Sequence, residues 1–241
     1  MKEYFKKNFV YDFLSSKKTH FRRLFYKKKY NLNKDQLKIY NELKSEGIVK
    51  IKNYLVSSEI NKFKNELNFA LNDGGQEERE YSLFSNNLKN SDKFNFLTKN
   101  YYVDIIEAYL SNKVFIDGIV YQKFYPTILN KSSYMWHHDN RSHQIKIQIL
   151  LNDNIEKNSQ RMQYLSKTHN TIHIREKNRF DDISKFNNQL VDCYGLSGDA
   201  FIFDTNGVHR GLRTDKNSKI RETITLTFLG KDKMWRASKI K

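Results

Sequence analysis

The sequence holds one cysteine, Cys193, and one proline, Pro126. A lone thiol excludes an intramolecular disulfide and a thiolate metal cluster, so any metal must be held by His and carboxylate side chains, and a reducing compartment suits the chain. Scarce proline beside abundant Lys, Asn and Ile is a bias of the kind an AT-rich genome produces. No run approaches the roughly 20 apolar residues that cross a bilayer, and the N-terminus has no apolar signal-peptide core. The expectation is a cytoplasmic protein able to touch the inner face of a membrane. Acidic residues are also in short supply: 27 Asp and Glu face 43 Lys and Arg, a formal net charge of +16. That excess points to an anionic partner such as nucleic acid, a membrane surface or a phosphorylated substrate. The alternative is the same compositional bias, with much of the lysine as solvated surface.

At 241 residues, 38% hydrophobic and 14% aromatic, the chain suits a single domain over 1–241. Residues 1–32 are a basic aromatic segment, with ten Lys or Arg in the first 30 positions against Glu3 and Asp12. Phe5, Phe9 and Phe13 recur at i, i+4, i+8, beside Val10 and Leu14 and opposite Lys6, Lys7 and Lys17. Such a stripe fits a helix lying on an anionic membrane, or one packing on the protein's own core. Residues 33–112 read as mainly helical support. Leu37, Tyr40 and Leu43 have helical spacing, residues 47–51 are strand-like, and Ser57-Ser58-Glu59 marks a helix start. Asn72-Asp73-Gly74-Gly75 and the charged run after it read as a loop, and residues 101–110 as another helix. Over 113–230 the texture turns to short alternating or apolar runs at 114–125, 145–151, 162–165, 200–203 and 221–229. Helices first and strands after predict an α+β domain whose β half is an antiparallel sandwich or jelly roll.

The strongest local signal is Trp136-His137-His138-Asp139. Side chains at i and i+2 of an extended segment point the same way, so His137 and Asp139 can grip one ion while His138 points away. His209, shortly after the strand at 198–204, supplies a third ligand. Two imidazoles and one carboxylate suit Fe(II) and leave coordination positions open for chemistry. Twelve residues beyond His209 a strictly alternating run begins, placing Arg221, Thr223, Thr225 and Thr227 on one face and Ile224, Leu226 and Phe228 on the other. An Arg with a Thr two residues on is a ready carboxylate receptor, through a bidentate fork and one hydroxyl donor.

These motifs, with Leu150-Leu151-Asn152-Asp153, Asn158-Ser159, Leu165-Ser166-Lys167-Thr168-His169 and Gly198-Asp199-Ala200-Phe201-Ile202-Phe203-Asp204, resemble the phytanoyl-CoA dioxygenase-like family over residues 45–230. That resemblance implies a double-stranded β-helix, a cupin-like jelly roll, with N-terminal helices packed outside. It implies Fe(II) on His137, Asp139 and His209, 2-oxoglutarate held at Arg221 and Thr223 with help from Lys123 and Gln148, O2 as co-reactant and ascorbate as an accessory reductant. The segment ending in His169 is implied to be a structural turn, where the family usually shows Pro-Gly-Ser-His. Asp139, in the place where related halogenases carry a small residue, argues for hydroxylation or desaturation. Arg141 and Tyr121 are candidate substrate contacts, and His143 adds charge beside the metal loop.

Together these features lead us to expect a hydroxylase acting on an anionic or lipid- or carrier-linked small molecule, such as a glycolipid or surface-saccharide precursor. The alternatives are a nucleic-acid oxygenase of the demethylase type and a non-catalytic jelly-roll binding protein. Nucleic acid ranks second because no segment reads as a base-flipping or duplex-reading element. The oligomeric state is not legible. If the N-terminal segment is a membrane contact, the full chain will co-sediment with anionic vesicles and a chain lacking residues 1–30 will not; equal binding to neutral and anionic vesicles removes that role.

Overall fold

A computed structural model describes residues 30–72, 76–79, 82–85, 88, 91–126, 134–139, 144–156, 159–171, 179–180, 183–184, 186, 189–212 and 219–231. The basic segment up to residue 29, Arg141 and His143 lie outside these residues.

Helix α1, Lys34–Glu46, starts on Asn33, whose side chain accepts from the Gln36 N–H while the Gln36 side chain accepts from the Asn33 N–H. This reciprocal cap satisfies two amides that a helix start leaves open. The helix ends at Gly47 in the left-handed region, φ 81°. A Cβ there would lie 2.4 Å from His169 Nδ1 and 2.5 Å from the Tyr164 hydroxyl, so only glycine fits. Helix α2, Ser57–Asn72, begins at the predicted serines, with Glu59 accepting from the Val56 N–H. Helix α3, Asn100–Leu110, follows.

In chain order the strands are β1 (Ile48–Ile51), β2 (Gln76–Arg79), β3 (Ser82–Ser85), β4 (Val114–Phe124), β5 (Trp136–His137), β6 (Ile145–Leu150), β7 (Met162–Leu165), β8 (Arg179–Phe180), β9 (Leu190–Asp192), β10 (Ala200–Asp204), β11 (His209–Gly211) and β12 (Arg221–Gly230). They form a larger sheet, β1-β10-β6-β12-β4-β3-β2, and a smaller one, β8-β5-β11-β7-β9, with antiparallel pairing throughout. The chain thus passes from sheet to sheet as it runs through β4, β5, β6 and β7, and again through β10, β11 and β12. The charged run after Gly75, expected as loop, instead forms β2 and, with β3, extends the edge of β4. An open strand edge offers backbone partners whatever the side chains, so pairing there needs no apolar alternation.

Period-2 alternation sorts the larger sheet into two faces. Ile224, Leu226 and Phe228 of β12, Ile145, Ile147 and Ile149 of β6, and Ile202 of β10 share a core with Phe63 and Leu67 of α2 and Ile106 and Tyr109 of α3. The three β12 side chains are at most 1% exposed, and burial of each contributes about 1.5–3 kcal/mol. On the opposite face Leu150, Phe201 and Phe203 meet Met162 and Tyr164 of β7 and Cys193, so this face looks toward the smaller sheet. No helix among the described residues is long and apolar enough to cross a membrane.

The turn after β7 clamps the end of α1. Lys167 N–H donates to Glu46 O, His169 Nε2 lies 3.2 Å from Lys44 O, and Asn206 Nδ2 donates to His169 O at 2.6 Å. Lys167 is left-handed, φ 67°, in the place where the resembled turn has glycine; a non-glycine residue there costs about 1–2 kcal/mol. Two substitutions should therefore shift thermal melting in opposite directions. Lys167→Gly raises stability by roughly 0.5–1 kcal/mol after its own chain-entropy cost, and Gly47→Ala lowers it by about 2 kcal/mol or more. A neutral Gly47→Ala would refute the clamp.

Candidate metal centre

Pairing of β11 with β5 sets His209 directly opposite His137, and pairing with β7 sets it opposite Tyr164. Facing residues of antiparallel strands project to the same side, so the two imidazoles converge, with ring centroids 4.4 Å apart. Asp139, just past β5, is fixed by its N–H donating to Thr205 O at 3.0 Å. Its Oδ1 lies 3.4 Å from His137 Nε2 and 3.7 Å from His209 Nε2. One donor atom from each residue falls within 4.8 Å of the others.

The backbone selects the useful tautomer. His137 Nδ1 is 2.7 Å from Met135 O and His209 Nδ1 is 2.9 Å from Gly207 O. Each carbonyl can only accept, so Nδ1 carries the proton and the Nε2 lone pair faces the other donors. The His209 ring is braced by Phe203, edge-on at 5.5 Å, and by Tyr164, stacked at 6.4 Å. Gly207 has no side chain because a Cβ would stand 1.9 Å from the Tyr164 hydroxyl. The turn from β10 to β11 is anchored by Asp204, fully buried, whose carboxylate accepts from Tyr109 of α3 at 2.7 Å and from Asn206 N–H at 2.9 Å.

Charge suits a cation. Burial works against ionisation of Asp139, but the ion pair with Lys146 and the nearby imidazoles outweigh it and hold the carboxyl well below its usual range. Burial, with His137 adding and Asp139 opposing, pushes His209 down to about 3. A neutral imidazole and an ionised carboxylate are the forms that ligate metal.

The face of β12 turned toward the smaller sheet carries the second half of the site. Arg221 and Thr223 are 5% and 0% exposed. Arg221 Nε and Nη1 and Thr223 Oγ1 are buried with no hydrogen-bond partner among the described residues. The guanidinium lies 4.2 Å from the centre of the Phe124 ring. Burial lowers its pKa to about 10, against the opposing influence of Tyr134 and Cys193, so it is charged at neutral pH without a counter-ion among those residues. A buried unpaired cation is costly, and a carboxylate would satisfy it. Gln148 lies on the same face, opposite Thr225 and Phe201. The residues present therefore fit a divalent metal with a carboxylate-bearing cosubstrate.

Strand parity puts two of the expected contacts on the other face of β4. Lys123 pairs with Glu222 across β4 and β12, at 3.9 Å between charged atoms, on the face away from the imidazoles. Gln122, opposite Thr223, has the inward position instead. Tyr121, opposite Ile224, packs on Phe63 in the helix-facing core. Arg141 lies outside the described residues. Lys146, on Asp139, went unrecognised in the sequence, although Ile145, Ile147 and Ile149 alternate around it and put Lys146 and Gln148 on the other face.

No family model and no curated protein sequence matches the chain. Solved structures do. The non-haem α-ketoglutarate-dependent epimerase SnoN of nogalamycin biosynthesis is similar at a TM-score of 0.66 and 12% identity, over 81% of this chain and 83% of that one. The carbocyclase SnoK of the same biosynthesis, also non-haem and α-ketoglutarate dependent, aligns at 0.63 and 14%, over 88% and 92%. HygX from Streptomyces hygroscopicus, with nickel, 2-oxoglutarate and hygromycin B bound, aligns at 0.60 and 14%, over 83% and 88%. The chain thus shares its architecture with non-haem α-ketoglutarate-dependent enzymes.

The depressed His209 pKa makes a prediction for the metal-free protein. An unfolded His takes up its proton near pH 6.5, whereas folded His209 does so only near 3. The unfolded state then binds more protons between those values, so stability present above pH 6.5 is lost as pH falls, by at most about 1.4 kcal/mol per pH unit. Melting of wild type should drop more steeply from pH 7 to 5 than melting of His209→Gln, and parallel profiles would disprove the shift.

Proposed function

We propose that this protein is an Fe(II)- and 2-oxoglutarate-dependent oxygenase on a double-stranded β-helix, of the phytanoyl-CoA dioxygenase-like kind, and that it hydroxylates an unactivated C–H bond. The observation carrying this reading is that two imidazoles and a carboxylate converge inside the same pair of sheets as a buried guanidinium with no counter-ion among the described residues. Structures of SnoN with Fe3+ and α ketoglutarate, and of HygX with iron and with 2-oxoglutarate, support the same cofactors here.

His137, Asp139 and His209 would hold the iron. When bound, Fe(II) with 2-oxoglutarate and O2 supplies an oxidant that takes hydrogen from carbon, 2-oxoglutarate leaving as succinate and carbon dioxide. The chain's own part is orientation. Met135 O and Gly207 O keep both Nε2 lone pairs turned inward. Arg221 and Thr223 would seize the distal carboxylate, and Gln148, Phe201 and Phe203 would wall the passage and keep water out. Hydroxylation is favoured by Asp139, whose carboxylate would take the place on the metal that a halide would otherwise need. The solved relatives include an epimerase and a carbocyclase, so the outcome is set by how substrate is held. The net charge of +16 favours an anionic or carrier-linked small molecule.

Anaerobic reconstitution with Fe(II) and 2-oxoglutarate, then oxygen, should release succinate without added substrate, and His137→Ala or Asp139→Ala should abolish it; wild-type turnover in either variant would sink the assignment. Arg221→Met should weaken 2-oxoglutarate binding by about 30-fold or more, a loss of about 2 kcal/mol or more, while the metal-free variant melts no lower than wild type because a buried unpaired charge has gone. In a substrate screen, gain of one oxygen in the product mass marks hydroxylation and loss of two hydrogens marks desaturation.

A further inference from the structure

We infer that Lys146 is a positioning residue that confines Asp139 to one donor oxygen, keeping the metal's other positions open for cosubstrate and oxygen. The inference rests on the metal centre proposed above. The two carboxylate oxygens are used differently. Oδ1 faces both imidazoles, at 3.4 and 3.7 Å from their Nε2 atoms, while Oδ2 is ion-paired with Lys146 Nζ.

Lys146 is well placed to hold that oxygen. It lies on β6, which is paired on both flanks, opposite Thr227 of β12 and Phe203 of β10. Its side chain is 25% exposed and that of Asp139 20%, so water competes only partly for the pair. The Asp139 backbone is pinned independently by Thr205 O. With the main chain fixed, turning Oδ2 as well as Oδ1 toward an ion would cost the ion pair with Lys146.

The consequence is a count of donors. A carboxylate using both oxygens would give the ion a fourth protein donor, and a keto acid binding through two oxygens would then leave no position for O2. Charge acts in the same direction. An ammonium beside the site repels a divalent cation and attracts a dianionic cosubstrate. Lys146 therefore weakens binding of metal alone and strengthens binding of 2-oxoglutarate.

The test needs no turnover. Mn(II) is titrated by calorimetry into wild type, Lys146→Met and Lys146→Gln, and 2-oxoglutarate is then titrated into each Mn(II)-loaded protein. Lys146→Met should bind Mn(II) about tenfold more tightly and 2-oxoglutarate about tenfold more weakly, with Lys146→Gln, which keeps a donor but no charge, between it and wild type. If Lys146→Met does not fold, Lys146→Gln carries the comparison with the same opposed shifts. Parallel loss of both affinities would make Lys146 merely structural and overturn the inference, as would no change in either. Failure of wild type to bind Mn(II) would sink the metal centre itself; normal wild-type binding with unaltered variants would sink only the role of Lys146.

Discussion

Two backbone ladders hold β11 between β5 and β7, and the site follows from that placement. Because facing residues of antiparallel strands share a side, His209 has His137 on one flank and Tyr164 on the other. The first neighbour is a fellow donor and the second a brace whose hydroxyl reaches Asp204 O at 3.0 Å. A slip of one residue in either ladder would turn His209 outward and dissolve the convergence. The surrounding order serves that register: Gly207 clears room for Tyr164, and Thr205 ties the β10–β11 turn to Asp139 and, through its N–H, to Gln144 O at 2.9 Å.

Much of this was legible in the sequence because its signals are local. The i, i+2 spacing of His137 and Asp139 and the strict alternation from Arg221 to Phe228 need only the period of a strand. The longer strands emerged from apolar runs, α1 from the spacing of Leu37, Tyr40 and Leu43, and α2 from its serine start. The short strands β5, β8, β9 and β11 carry too few residues to show a period, and they exist because a neighbour's backbone pairs with them. For β2 and β3, too, pairing partners decided what composition could not.

Where the site departs from expectation, strand parity is the reason. Lys123 was placed by resemblance and Tyr121 as a substrate contact, neither with β4 tied to the register of β12. Once Thr223 faces Gln122, parity sends Tyr121 and Lys123 to the other side. Lys146 was passed over for the complementary reason: a lysine in a strand reads as solvated surface until its neighbours' alternation is followed. Inheriting a position from a family is safe only when the face of the strand is known.

Asp204 draws one bond from Tyr109, in the helical layer, and one from the turn that leads to His209. Its carboxylate is a rivet through two layers, sealed from water. Helix α3 and the turn that leads to His209 are thereby held to each other through one buried side chain.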